Sequence, residues 1–594
     1  MKPWRARLLL LAGGAALAFA IPAAGQRDKA PESLLPPGFG EPPPPAPKEP
    51  PSDNAASPSP SLPAPLLPGD SAPVPEPGLG VEDAAAEDLE ALADALPPPI
   101  EIPEASRRPT NPVGPFRPGN WGLGLAAFGS ADGRFLSGLM GRLNAPLPSR
   151  WASILLRRAL LSEAAAPPHV NEVDWVAERA WLLLRMGEAD GARMLVQAVD
   201  VDRFTPRMLT VAVQVGLATA DPAALCPLVG PGRKLSDEPV WPLADAMCAS
   251  LEGDAARASQ LIEQARRRTG GGIDTLLAEK VIGAGTNTRR AVTIEWQGVD
   301  ELSSWRFGLA SATGLEIPAA LMNRAGAAVW AWQARAPMVP LEQRVDAAQR
   351  AATLGVFSNA ALVEVHSLLA DQTDPSEIEA SIGGRLRRAY AARSIGDRLD
   401  AMRGLWDQGD DRYGRLVLTA AAAARVPVSA DHGNRADDLV GSIMTAGYDR
   451  VAARWGGVAD GLGDGGDRAW SILAVGAPRA VVDLGANRVE GFTDRAGGHR
   501  GRMLVAALAG LDRLADPAAY GVDPAPRSRW ANLIAAAARA GQPGTVALLA
   551  GVGMQTPNWR GIPPEHLYHI VRALRQVGLD YEARMIAAEA MTRL

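Results

Sequence analysis

Twenty-six of the chain's 51 prolines fall in one stretch, residues 26–118, which contains no tryptophan. Proline removes a backbone donor and fixes φ, so a segment this rich in it favours extended polyproline II over a packed core. The core must come from the C-terminal remainder. Residues 119–594 hold 14 of the 15 tryptophans. The chain therefore divides into an N-terminal 1–25, a proline-rich 26–118 expected to be a disordered tether, and a body over 119–594.

Residues 1–7 are basic through Lys2, Arg5 and Arg7, and residues 8–21 are apolar. Pro22-Ala23-Ala24-Gly25 then places small residues at −3 and −1 of a cut before Gln26. This is the three-part layout of a secretory signal peptide. Its apolar run falls short of the roughly 20 residues that span a bilayer. Cleavage after Gly25 is therefore expected, with no membrane span in the mature protein. Five lysines among 60 basic residues, abundant alanine and no Asn-x-Ser/Thr sequon suggest a bacterial periplasmic or secreted protein.

Charge is unevenly placed. Residues 26–118 carry a net charge of −9, and residues 119–594 sum to zero. A neutral body lacks the basic face of a nucleic-acid binder, and Arg266-Arg267-Arg268 and Arg387-Arg388 are too short to track phosphates. One island interrupts the prolines at 81–96. Ala85, Leu89, Leu92 and Leu96 share a helical face there, with Glu82, Glu87, Glu90 and Asp94 elsewhere. Such a helix is expected to dock into a groove on a partner; the alternatives are a helix-prone patch of disorder or a helix that packs on its own body.

The body predicts an all-α fold of something like twenty helices. Ser149, Asn171, Thr205-Pro206 and Asp221-Pro222 each precede an apolar run as helix-start signals. Gly187-x4-Ala192-Arg193-Met194-Leu195 matches Gly578-x4-Ala583-Arg584-Met585-Ile586, and Gly253-x4-Ala258 repeats the spacing. In each, the glycine ends one helix and the alanine marks where the next approaches. Gly578-Leu579-Asp580-Tyr581-Glu582-Ala583, after the stripe Leu567, Ile570, Val571 and Leu574, resembles the inter-helix turn of tetratricopeptide-type repeats. The resemblance covers about three hairpins and implies an α-solenoid with an extended surface for a protein or peptide.

Catalytic signals do not assemble. Gly461-Leu462-Gly463-Asp464-Gly465-Gly466 fits G-x-G-x-x-G, but no buried strand precedes it as a dinucleotide site requires. His566 and His569 share a helix face without a third metal ligand, so no metal or cofactor is expected. Gly553-Met554-Gln555-Thr556-Pro557 resembles a stretch of lytic transglycosylases, whose chemistry needs a carboxylic acid. Residues 526–552 contain none. The expected function is a non-catalytic interaction scaffold of the cell envelope. The alternative is a cell-wall enzyme with an unrecognised active site.

Cys226 and Cys248 are the only cysteines. Export into an oxidising compartment, with a hairpin turning near residue 237, predicts that they form a disulfide.

Overall fold

The computed structural model describes residues 103–285 and 292–594. The export signal, its cut after Gly25 and the 81–96 island with Leu89, Leu92 and Leu96 lie outside the described residues. Among the described residues there are 27 α-helices and no strand, only isolated bridges.

The chain first forms α1 (Gly133–Arg142), α2 (Arg150–Leu161), α3 (Glu172–Arg185), α4 (Ala189–Val196), α5 (Pro206–Ala218), α6 (Cys226–Leu235), α7 (Val240–Leu251), α8 (Ala255–Thr269) and α9 (Ile273–Gly285). Next come α10 (Ser304–Ala312), α11 (Ala319–Arg324), α12 (Ala327–Arg335), α13 (Leu341–Leu354), α14 (Asn359–Gln372), α15 (Ile382–Ala391), α16 (Ile395–Trp406) and α17 (Arg412–Ala423). The last group is α18 (Ala436–Thr445), α19 (Asp449–Ala452), α20 (Gly456–Gly461), α21 (Asp467–Gly476), α22 (Ala486–Ala496), α23 (Gly498–Gly510), α24 (Arg529–Arg539), α25 (Pro543–Gly553), α26 (Pro564–Gln576) and α27 (Asp580–Arg593).

The start signals act as capping chemistry requires. Ser149 accepts from the Ala152 N–H, Asn171 from Val173 and Asp174, and Thr205 from Met208. Each satisfies amide donors that the first helical turn leaves open. Asp221 does not cap. Its carboxylate is drawn to Arg193 at 2.6 Å, and the Pro222–Leu225 turn stays 3-10.

The three repeat glycines, Gly187, Gly253 and Gly578, have φ of 88°, 89° and 81°, a region that disfavours residues with a Cβ. They turn α3 onto α4, α7 onto α8 and α26 onto α27, and Ala192, Ala258 and Ala583 are fully buried at the approach. Other packing goes beyond stacking of neighbours. The second helix, α2, contacts α3, α13, α25 and α27, so segments from the start, middle and end of the body meet around it.

Ordered packing begins before residue 119. Phe116 N donates to Leu161 O at 3.1 Å, Glu163 N donates to Phe116 O at 2.8 Å, and Val113 is 5% exposed. Arg179, fully buried, donates to Val113 O, Leu160 O and Ser162 O. Burial lowers its pKa to about 9. The guanidinium thus ties the incoming chain to carbonyls at the end of α2, where a cation is favoured. Val113 and Phe116, which composition groups with the proline-rich segment, thus pack on the body.

The disulfide Cys226–Cys248 forms, with Cα atoms 5.5 Å apart. The hairpin turns at 236–239, near the expected midpoint. Gly230-Pro231-Gly232, read as a turn signal, is instead helical within α6. Tertiary packing overrides the local preference there: a Cβ on Gly232 would lie 2.4 Å from the Trp241 ring, so glycine lets α7 close on α6.

Candidate interaction groove

A cavity of about 740 Å³ opens where α2, α12, α14, the α18–α19 turn and α27 converge. The chain's own entry segment forms another wall through Phe116 and Trp121.

Trp121 stands on a tight loop. Asn120 N and Gly122 N both donate to Arg117 O, at 2.9 and 3.0 Å. A Cβ on Gly122 would sit 2.3 Å from Phe116 O, so only glycine fits. Leu123 N donates to Ser162 Oγ at 3.0 Å, which pins the loop to the end of α2. Trp121 itself has φ of 68°, a conformation that disfavours a bulky residue, and is 73% exposed. Its carbonyl accepts from Arg158 Nε at 2.5 Å. A strained backbone therefore holds out a large apolar ring that buries little of itself.

Two more exposed aromatics line the groove. Tyr448 is 40% exposed at the start of α19, and Tyr581 is 36% exposed on α27. Tyr581 packs edge-on against Trp151, ring centroids 5.8 Å apart, and its hydroxyl donates to Gly447 O at 2.9 Å. Burial, and then the carboxylates of Asp449 and Glu582, push this phenol up to about 12, so it stays a donor at neutral pH.

Arginines form the floor and edges. Arg150 is buried and donates to Phe357 O at 2.9 Å and to Thr445 O and Ala352 O. Burial lowers its pKa. Arg157 meets Glu188 at 2.6 Å and Gly355 O at 2.9 Å. Burial raises the Glu188 carboxyl in spite of that contact. Arg158 pairs with Glu582, and Arg335 with Asp190. The arrangement offers aromatic faces and fixed guanidinium groups, chemistry suited to gripping side chains. The sequence does not announce this groove, because its walls come from positions hundreds of residues apart. A tryptophan set between glycines at 119–122 was the one readable local signal.

The sequence candidates are placed elsewhere and engaged structurally. His566 Nδ1 lies 2.7 Å from Gly553 O and the ring stacks on Trp530 at 4.3 Å, while His569 is buried. No cluster of three or more His, Cys, Asp or Glu among the described residues is placed to hold a metal. Gln555 clamps the Asn144 main chain, accepting from its N–H at 2.6 Å and donating to its carbonyl at 3.2 Å. Residues 461–466 close α20 and form a 3-10 turn, with helix rather than strand before them. Asp467, just beyond, pairs with Arg488 and Arg495.

A second cavity, about 620 Å³, lies between α23, the loop before α24 and α26. Its Asp523 and Arg527 pair with each other. It carries no exposed large aromatic.

Comparison with protein-family models, with curated proteins and with solved structures returns no match. No helix among the described residues is long and apolar enough to cross a membrane.

Proposed function

We propose that this chain is an exported, non-catalytic interaction scaffold of the cell envelope, and that the groove around α2 binds a protein or peptide partner. The observation that carries the reading is the gathering of Trp121, Tyr448 and Tyr581 on one concave surface edged by arginines. Single exposed apolar residues are ordinary, whereas a contiguous patch in a concavity marks a binding surface. Tryptophan, tyrosine and arginine are also the side chains that dominate interface energetics.

The disulfide supports export, because disulfides persist in oxidising compartments. In this reading residues 1–25 direct export, the proline-rich segment spaces the body from its attachment, and the serial hairpins are degenerate tetratricopeptide-like repeats. A pull-down from cell envelopes tests it, with wild-type protein beside Trp121→Ala/Tyr448→Ala. A partner retained by the wild type and lost by the variant supports the groove. Digestion of purified peptidoglycan by the wild type would instead support a cell-wall enzyme.

A further inference from the structure

The groove stands beside the place where the N-terminal chain joins the body. Arg108 N donates to Asp200 Oδ2 at 2.9 Å, just past the end of α4. The other end of α4 touches the groove, because Asp190 in its first turn pairs with Arg335 of the lining. Eight helical residues separate the two ends, about 12 Å. The seven steps from Leu96 to Pro103 extend at most about 25 Å. That span is about twice the rise of α4, the helix that runs between the anchored segment and the rim.

The chemistry of the 81–96 segment matches what the groove exposes. Its sequence has six acids, Glu82, Asp83, Glu87, Asp88, Glu90 and Asp94, and no base. In helical register Leu89, Leu92 and Leu96 form one apolar stripe, the pattern of helices that lie in apolar grooves. The groove presents exposed aromatic rings to such a stripe, and at its edges Arg158 and Arg335, 25% and 43% exposed, are already paired with Glu582 and Asp190, so the apolar stripe and not the acids carries the match.

We infer that residues 81–96 are the groove's resident ligand, docking intramolecularly as an acidic amphipathic helix that a partner must displace. The inference rests on reading the groove as a peptide-binding surface. Tethering gives this ligand a high local concentration, so even a weak intrinsic contact fills the site. An external partner then binds more weakly than to an empty groove, by the inverse of the unoccupied fraction.

Photo-crosslinking in the full mature chain tests this. p-Benzoylphenylalanine replaces Tyr448, the protein is irradiated alone and with envelope extract, and crosslinks are mapped by mass spectrometry. The expected result is a crosslink into residues 81–96 within a single copy. It should fall at least tenfold in Leu89→Asp/Leu92→Asp/Leu96→Asp, and that variant should crosslink more external partner than the parent does. Crosslinks into 81–96 of a second copy, read as a dimer band, would overturn the intramolecular docking. Crosslinks to an envelope protein with none to 81–96 would overturn this inference and leave the groove as a partner site. Crosslinks to neither would defeat both.

Discussion

Ser149 and Glu589 lie 440 positions apart and are joined by a 2.7 Å hydrogen bond in the buried interior. The Glu589 carboxylate also accepts from the Arg150 and Trp151 N–H groups, at 2.9 and 3.0 Å. A residue near the C-terminus thus satisfies the first amides of α2, where the helix dipole favours negative charge. Arg593 completes the site at 3.1 Å. This contact fixes α27 against α2 and so sets two walls of the groove.

Glu589→Ala should lower the stability of the body by about 3–5 kcal/mol, since it leaves buried donors and a cation without their partner. Glu589→Gln keeps one acceptor and should cost less. Chemical-denaturant midpoints of the two variants against wild type check the order.

Cys226→Ser/Cys248→Ser should lose about 3 kcal/mol, because the bridge closes a loop over a sequence separation of 22. Thermal unfolding of the variant should match that of reduced wild type, and equal midpoints for oxidised and reduced protein would contradict the bridge.

Trp121→Gly separates strain from structure. Glycine accepts φ of 68° without penalty, and the indole is mostly exposed, so stability should rise slightly, by no more than about 1 kcal/mol. Partner binding should weaken at least tenfold if the ring is an interface anchor. Paired denaturation and binding titrations give both readings.

His366 sets an acid limit. It is 2% exposed in α14 with Nε2 unpartnered, and burial, then the nearby Arg415 charge, lower its pKa to about 4. An unfolded histidine titrates near 6.5. Between these values the unfolded chain binds the extra proton, so stability falls as the pH drops through that window. The loss from this group approaches about 3 kcal/mol below pH 4. His366→Gln should flatten the stability profile between pH 6.5 and 4, measured by denaturation at a series of pH values.

The local parts of this fold were legible because they rest on near-neighbour chemistry. Ser149, Asn171 and Thr205 announce their helices through side chains that reach amides two or three residues on. Gly187, Gly253 and Gly578 announce hairpins through backbone freedom. The cysteine pair was readable from its isolation and its centred turn. The hidden parts are set by distant contacts. Gly230-Pro231-Gly232 reads as a turn, yet stays helical because Trp241 packs on it. Residues 113–118 read as tether because their prolines are visible and the Arg179 that anchors Val113 is 66 positions away. The groove needed Trp121, Arg335, Tyr448 and Tyr581 together, and no local spacing relates them.

The most direct test of the scaffold reading is quantitative capture from envelope extract by full mature protein, wild type against Trp121→Ala/Tyr448→Ala. Trp121 is mostly exposed and Tyr448 partly so, so the variant should stay fully folded, with an unfolding midpoint lowered by a few degrees at most. At least one protein should be retained by the wild type and reduced tenfold or more by the variant. Identical capture by two equally folded proteins would contradict the scaffold reading.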